Sequence, residues 1–278
     1  PHVDFKQVSS RLRQLIPEQT SLLLISTAGE LCSTGTGSPY CGADGAWDRV
    51  VLQSFSRDLI AQTSVHKVPL PNDDICRGGA ALTHDARVEK IAASLKHVSA
   101  PFALDYRDTF ALTFVDGLSC GESCLMEAVY EAGNLPLLFI GGSAGGTLDF
   151  KQTQMFDGRD IVEDHAVICF AKMAENKSYS VLKSQNFRKS STNFVVFDAD
   201  PDHRVVRTVI NPETLETMPF LEAVGRALGC KMDEVKHRLN GRGFGIDVDG
   251  DLYVRMIANF DDKTGAASFL CDLDYGDV

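Results

Sequence analysis

The residues best placed for chemistry are Gly141-Gly142-Ser143-Ala144-Gly145, which reproduce the Gly-x-Ser-x-Gly spacing of a nucleophile elbow. In a serine hydrolase that spacing holds a hydroxyl on a tight turn between a strand and a helix. The first N–H groups of the helix then help to stabilise an oxyanion. The segment that follows here, Thr147-Leu148-Asp149-Phe150-Lys151-Gln152-Thr153, alternates like a strand or loop and has no helical period. His203 with Asp198, Asp200 or Asp202 would have to complete a triad, and nothing in the sequence brings them to Ser143. The expected role is therefore binding rather than catalysis, with a serine hydrolase acting through Ser143 as the lesser alternative.

The same glycines suit a second use. The apolar run Leu135-Pro136-Leu137-Leu138-Phe139-Ile140, long enough for one buried strand, stops at Gly141, Gly142, Gly145 and Gly146. Backbone without Cβ atoms lets peptide N–H groups face a ligand or a neighbouring chain. An earlier stretch, Leu22-Leu23-Leu24-Ile25, runs into Ser26-Thr27-Ala28-Gly29-Glu30 in the same manner. The two are expected to form related corners of one site. An amino acid or similar small metabolite would place its carboxylate on these N–H groups, with Arg159 or Arg255 as partner. A phosphate loop does not fit, because no Lys-Ser or Lys-Thr follows and Gly-x-Gly-x-x-Gly is absent.

Composition bounds the partners. With 278 residues, 44% of them hydrophobic and 23% charged, the chain can bury one large core or two modest ones. A formal net charge of −11 and scattered Lys and Arg argue against nucleic acid. No apolar run approaches the ~20 residues that span a bilayer, so no membrane insertion is expected. Eight cysteines without a Cys-x-x-Cys pair read as reduced thiols of a cytoplasmic protein. Cys120 and Cys124 lack a matching pair that would make them a zinc site. There is no initiator Met and no signal-like segment, so the start of the protein is expected to lie upstream. Its end is expected beyond Val278. A homo-oligomer is compatible with all of this.

The elements that must position these residues follow from periodicity. Val8, Leu12, Leu15 and Ile16 mark an amphipathic helix ended by Pro17, and Leu22–Ser26 a strand. Residues Cys32 to Asp48 read as a loop, Val50–Phe55 and Ser64–Val68 as strands, and Asp85 to Val98 as a second helix. A strand through Phe110, Leu112 and Phe114 ends at Asp116-Gly117. Ser119 and Glu122 then have capping-box spacing for a helix with Leu125, Met126 and Val129 inward, stopped by Gly133. Further strands are expected at His165–Met173, Tyr179–Gln185, Asn193–Asp198, Arg204–Ile210 and Ala267–Leu273. Pro219 opens a helix capped by Gly229, and a short helix carries Val235 and Leu239. Asp249-Gly250 marks a hairpin between Gly245–Val248 and Leu252–Ile257. The class is α/β in the mixed α+β sense: layered mixed and antiparallel sheets flanked by helices, in two related domains, 1–210 and 211–278, divided near Asn211-Pro212.

Several of these stretches carry a family resemblance. Phe114-Val115-Asp116-Gly117-Leu118-Ser119, Phe139-Ile140-Gly141-Gly142-Ser143-Ala144-Gly145, Ser26-Thr27-Ala28-Gly29-Glu30 and Phe156-Asp157-Gly158 leading to Asp164-His165-Ala166-Val167 resemble the FIST N-terminal domain. Pro219-Phe220-Leu221 through Leu252-Tyr253-Val254-Arg255 resembles the start of a FIST C-terminal domain, which is expected to be truncated here. The family implies a sensory role in signal transduction. His165 and Ser184-Gln185-Asn186-Phe187 look like its NosP-type branch, which implies b-type haem, nitric oxide sensing and control of a partner histidine kinase.

On that resemblance His165, heading the strand Ala166–Phe170, is the candidate iron ligand, with Asp164 or Glu163 to hold its second ring nitrogen. Gly141, Gly142, Ser143 and Asn186 are the other candidate contacts. Cys169 is a weaker candidate as a thiolate, better explained as packing. His97, near a helix end, is better explained by the helix dipole.

Overall fold

An aspartate at the start and a proline at the end delimit the first helix. Asp4 accepts the Gln7 N–H at 2.9 Å, and Arg13 in the last turn donates to the carbonyls of Ile16 and Pro17. The computed structural model describes residues 3–32, 40–43, 45–72, 74–75, 79, 81–147, 149–184, 187–239 and 242–278. They form two compact units, Pro1–Val181 and Leu182–Val278.

The N-terminal unit runs α1 (Phe5–Leu15), β1 (Leu24–Ile25), β2 (Gly29–Leu31), β3 (Tyr40–Gly42), β4 (Ile60–Pro69), α2 (His84–Leu95), β5 (Thr109–Asp116) and α3 (Glu122–Ala132). It continues with β6 (Leu138–Ala144), β7 (Met155–Phe156), β8 (Ile161–Val162) and β9 (His165–Met173). The main sheet has the order β4-β9-β5-β6. The pairs β4/β9 and β9/β5 are antiparallel, and β5/β6 is parallel, joined by α3 as a crossover. One sheet face is covered by α2 and α3 through Val88, Ile91, Leu95, Leu125, Ala128, Ile168 and Phe170. On the other face the small sheet β1-β7-β8 buries Met155 and Val162 against Val167 and Ala144.

The C-terminal unit holds β10 (Val195–Asp200), β11 (Val205–Ile210), β12 (Thr217–Pro219), α4 (Phe220–Leu228), α5 (Val235–Arg238), β13 (Phe244–Val248), β14 (Asp251–Arg255), β15 (Ile257–Asp261) and β16 (Ala266–Phe269). An antiparallel sheet of order β10-β11-β16-β15 packs on α4, with Phe220, Phe244 and Phe269 in mutual ring contact. The Asp249-Gly250 turn joins β13 to β14, both residues at positive φ as a two-residue hairpin requires.

The mixed α+β class holds. The compact units, however, divide at Val181/Leu182 and not near Asn211-Pro212. The reason is pairing: β11 bonds to β16 through Val205–Ser268 and Val206–Ala267, so residues 195–210 belong with the later strands. Val50–Phe55 forms no strand; Val50, Val51, Leu52 and Phe55 are exposed and meet no partner strand. Residues 179–184 form none either. Tyr179 is held instead by its ring against Phe110 and its hydroxyl on the carbonyls of Tyr106 and Thr109. The 32–48 stretch contains β3, although residues 33–39 and 44 lie outside the described ones. Met126 lies on the outer side of α3, because Cys124, Leu125, Ala128 and Val129 take the inward face. No helix among the described residues is long and apolar enough to cross a membrane.

The most expensive group to bury is the Arg87 guanidinium on α2, which is fully enclosed. It forks onto Asp74 at 2.7 and 2.8 Å and also donates to the carbonyls of Pro71 and Leu82. Arg87 holds the Asp74 carboxyl well below the usual carboxylate range. A depressed folded-state pKa stabilises above the unfolded value of about 3.9 and is lost as pH falls below it. Asp74→Asn is expected to lower stability by about 3 kcal/mol at pH 7 in urea unfolding. Its deficit against the parent should shrink by about 1 kcal/mol at pH 3; an unchanged gap would show that Asp74 is not held ionised.

Candidate functional site

Strand β5 ends on Asp116, whose buried carboxylate gathers three separate segments. One oxygen accepts the Leu118 N–H at 3.0 Å and the Thr153 hydroxyl; the other accepts the Asp164 N–H at 2.7 Å. The Asp116 carbonyl accepts the Ser119 hydroxyl at 2.6 Å. Asp164 sits at φ 51°, and its own carbonyl takes the Leu70 N–H at 2.8 Å. The ends of β4, β5 and β9 and the segment before β7 are thus tied to one buried anion.

Beside this node lie the carboxyl ends of the parallel strands β5 and β6 and the amino end of α3. In open α/β units, ligands bind in this place, outside the carboxyl ends of parallel strands. Ser119 does not close a capping box. Its hydroxyl serves Asp116 and accepts the Gly121 N–H, and the N-cap is Gly121, with no side-chain cap bond. Glu122, in the first helical turn, instead accepts the Ser143 hydroxyl at 2.5 Å. The Ser119/Glu122 spacing places Glu122 in the cap, and Asp116 reads from sequence only as a strand end. A carboxylate one helical turn beyond a strand is the visible signal, but its partner on β6 is 21 residues away.

Most of the glycines serve neighbouring chain. A Cβ on Gly141 would run into the Thr113 carbonyl, and one on Gly146 into the Gln152 carbonyl. A Cβ on Gly145 would lie 2.7 Å from the Ala28 nitrogen, and its N–H donates to the Ser26 carbonyl at 2.9 Å. The two glycine-bearing corners therefore do meet, as the repeated pattern suggested. Gly142 alone of these four faces open space. Strand β6 is a sheet edge, with Leu138, Gly141, Gly142 and Ser143 exposed, not the buried strand its apolar run suggested. The crossover places it outside β5, which is its one neighbour among the described residues. No helix follows Ser143 among the described residues 145–154, so the strand–turn–helix frame of a nucleophile elbow is not formed. His203 is held by Asp200 at 3.0 Å, within the C-terminal unit.

His165, the first residue of β9, is half-buried, and its Nδ1 lies 2.5 Å from the Glu163 carbonyl. That bond orients the ring and engages Nδ1, leaving Nε2 as the nitrogen a metal would take. Its surroundings are another matter. On the same strand face Val167 is fully buried against Met155, Val162 and Ala144. Opposite Val167 stands Lys67, whose ammonium rests on Asp160 at 2.8 Å and Asp157 at 3.8 Å. Filled packing and an ion pair leave no apolar slot for a flat macrocycle, so these described residues do not fit a porphyrin. Asn186 lies outside the described residues. Arg159 lies in the turn between β7 and β8, and Arg255 ends β14 in the C-terminal unit. Burial pushes the Cys169 thiol up to about 11, which suits core packing rather than a thiolate ligand. The described residues contain no cluster of three metal-ligating side chains.

A family model described as FIST N domain matches residues 1–209. No curated protein and no solved structure matches the chain.

The glycine geometry is separable by substitution. Gly145→Ala is expected to lower stability by about 1–3 kcal/mol, because its methyl meets the Ala28 backbone. Gly142→Ala, facing open space, should fall within about 0.5 kcal/mol of the parent. Equal effects in urea titrations would refute this division of roles.

Proposed function

The chain belongs to the FIST N domain family, whose members are signal-transduction sensory domains, and from that premise we propose that it binds a small metabolite with an ammonium and a carboxylate, an amino acid or similar compound. The observation that carries the proposal is the meeting of Ser143 and Glu122 at the carboxyl end of the β5-α3-β6 unit. The Glu122 carboxylate suits an ammonium group. The Ser143 hydroxyl and the amino end of α3 suit a carboxylate. Gly142 beside them leaves room at the backbone.

A ligand that takes the Ser143 hydroxyl from Glu122 loosens the one side-chain bond described between β6 and α3. Because β6 is an edge strand, its open side is where such a change would reach a signalling partner, in this proposal a histidine kinase. The haem reading, with His165 on the iron and nitric oxide as the sensed gas, has in its favour the bond from His165 to the Glu163 carbonyl. It is the second reading, because the neighbouring side chains leave no slot for the ring.

Thermal-shift and calorimetric titration of the chain with a panel of amino acids, and separately with haem, tests both. A cognate amino acid at about 100 times its Kd should add about 2.7 kcal/mol of stability. Ser143→Ala and Glu122→Gln should each weaken it about tenfold, close to 1.4 kcal/mol. Silence across the panel, together with a Soret band lost in His165→Ala, would replace the amino acid by haem.

A further inference from the structure

Within the C-terminal unit, α5, Leu239, Arg242, Gly243 and strands β13, β14 and β15 line an open cleft of about 410 Å³. Four of its lining side chains are basic: Lys236, His237, Arg242 and Arg255. Among the described residues no lining side chain is acidic, and Phe244 and Phe260 are among its apolar walls. Phe244 is locked from behind by ring contacts with Phe220 and Phe269 at 5.2 and 6.0 Å, so that wall is part of the core.

The absence of acids here runs against the composition of the whole chain, in which 38 Asp and Glu outnumber 27 Lys and Arg. Elsewhere in the same unit four cations sit on carboxylates. Lys183 lies 3.7 Å from Asp251, Lys189 is on Asp247, Arg207 lies 3.0 Å from Asp198, and Arg226 lies 2.9 Å from Glu216. None of the four cleft cations has such a partner among the described residues. Arg255 is the sharpest case. Among the described residues its Nε is buried without a hydrogen-bond acceptor, and Nη1 makes a 3.4 Å contact to the Val254 carbonyl. A buried guanidinium donor left unmet is costly, and a ligand oxygen entering the cleft would satisfy it.

We propose that this cleft is an anion site for a small phosphate monoester carried on a flat ring, the chemistry of a nucleoside monophosphate. Three permanent positive charges and an imidazole exceed what one carboxylate can balance. A phosphate monoester carries close to two negative charges and takes a guanidinium fork in two parallel bonds. The phenylalanine walls supply the face for the ring, and the volume lies within the range of small-molecule sites. The site is separate from the Ser143–Glu122 site and does not depend on it.

Calorimetric titration of the full chain with adenosine monophosphate, inorganic phosphate and adenosine is the test. The expected result is saturable binding of the monophosphate, at least tenfold tighter than either fragment and weakened by added salt. Arg255→Gln should weaken it at least tenfold. Lys236→Gln and Arg242→Gln, at exposed positions that leave the core intact, should each weaken it severalfold with an unchanged melting temperature. No binding of the monophosphate would overturn the proposal. So would adenosine binding as tightly, or affinity indifferent to the exposed-site variants.

Discussion

One buried carboxylate organises the N-terminal unit. Asp116 closes β5 and accepts hydrogen bonds from the adjoining Leu118 and from Thr153 and Asp164, 37 and 48 residues further on, so distant stretches converge on it. An anion taken out of water is tolerated only when donors replace its hydration, and here backbone N–H groups and a hydroxyl do so. The cost is conformational: Asp164 must hold a left-handed backbone to present its N–H. In return, the turn before β9 is locked, and its carbonyl in turn fixes the end of β4 at Leu70. The candidate site inherits this rigidity, because β5 supplies the frame on which β6 and α3 sit.

Close backbone approach is the second constraint. The stretch from Gly141 to Gly146 reads as a cradle for a ligand, yet at Gly141, Gly145 and Gly146 the space of a side chain is taken by other backbone. Removing three Cβ atoms lets β6 lie against β5 and lets its exit press on Ser26–Ala28. The proposed ligand would have a small and specific set of contacts: Gly142, the Ser143 hydroxyl and the Glu122 carboxylate. A signal-transduction sensory domain needs a site coupled to a surface, and an edge strand bearing its own polar contact meets that need.

Charge is distributed on a different plan in the C-terminal unit. Four of its surface lysines and arginines, Lys183, Lys189, Arg207 and Arg226, are matched to carboxylates, and such exposed pairs contribute little to stability. The four basic groups around the cleft are unmatched, and one of them has a buried donor without an acceptor. An acidic chain that keeps acids away from one hollow concentrates positive potential where field lines are focused.

Local periodicity in the sequence determined the helices Phe5–Leu15, His84–Leu95, Glu122–Ala132 and Phe220–Leu228, along with the left-handed stops at Gly133 and Gly229 and the Asp249-Gly250 hairpin. These depend on residues within a turn or two of one another. The likeness of Ser26–Gly29 to Ser143–Gly146 also predicted that the two corners meet. Whether Leu138–Ala144 lies at the centre or the edge of its sheet was settled only by the tertiary fold. So were the exposure of Val50–Phe55, the transfer of residues 195–210 to the later strands, and the pairing of Glu122 with Ser143 rather than with the cap. Each of these depends on a partner many residues away. An apolar run records that a strand can be buried, while burial itself requires a second neighbour that only the assembled sheet provides.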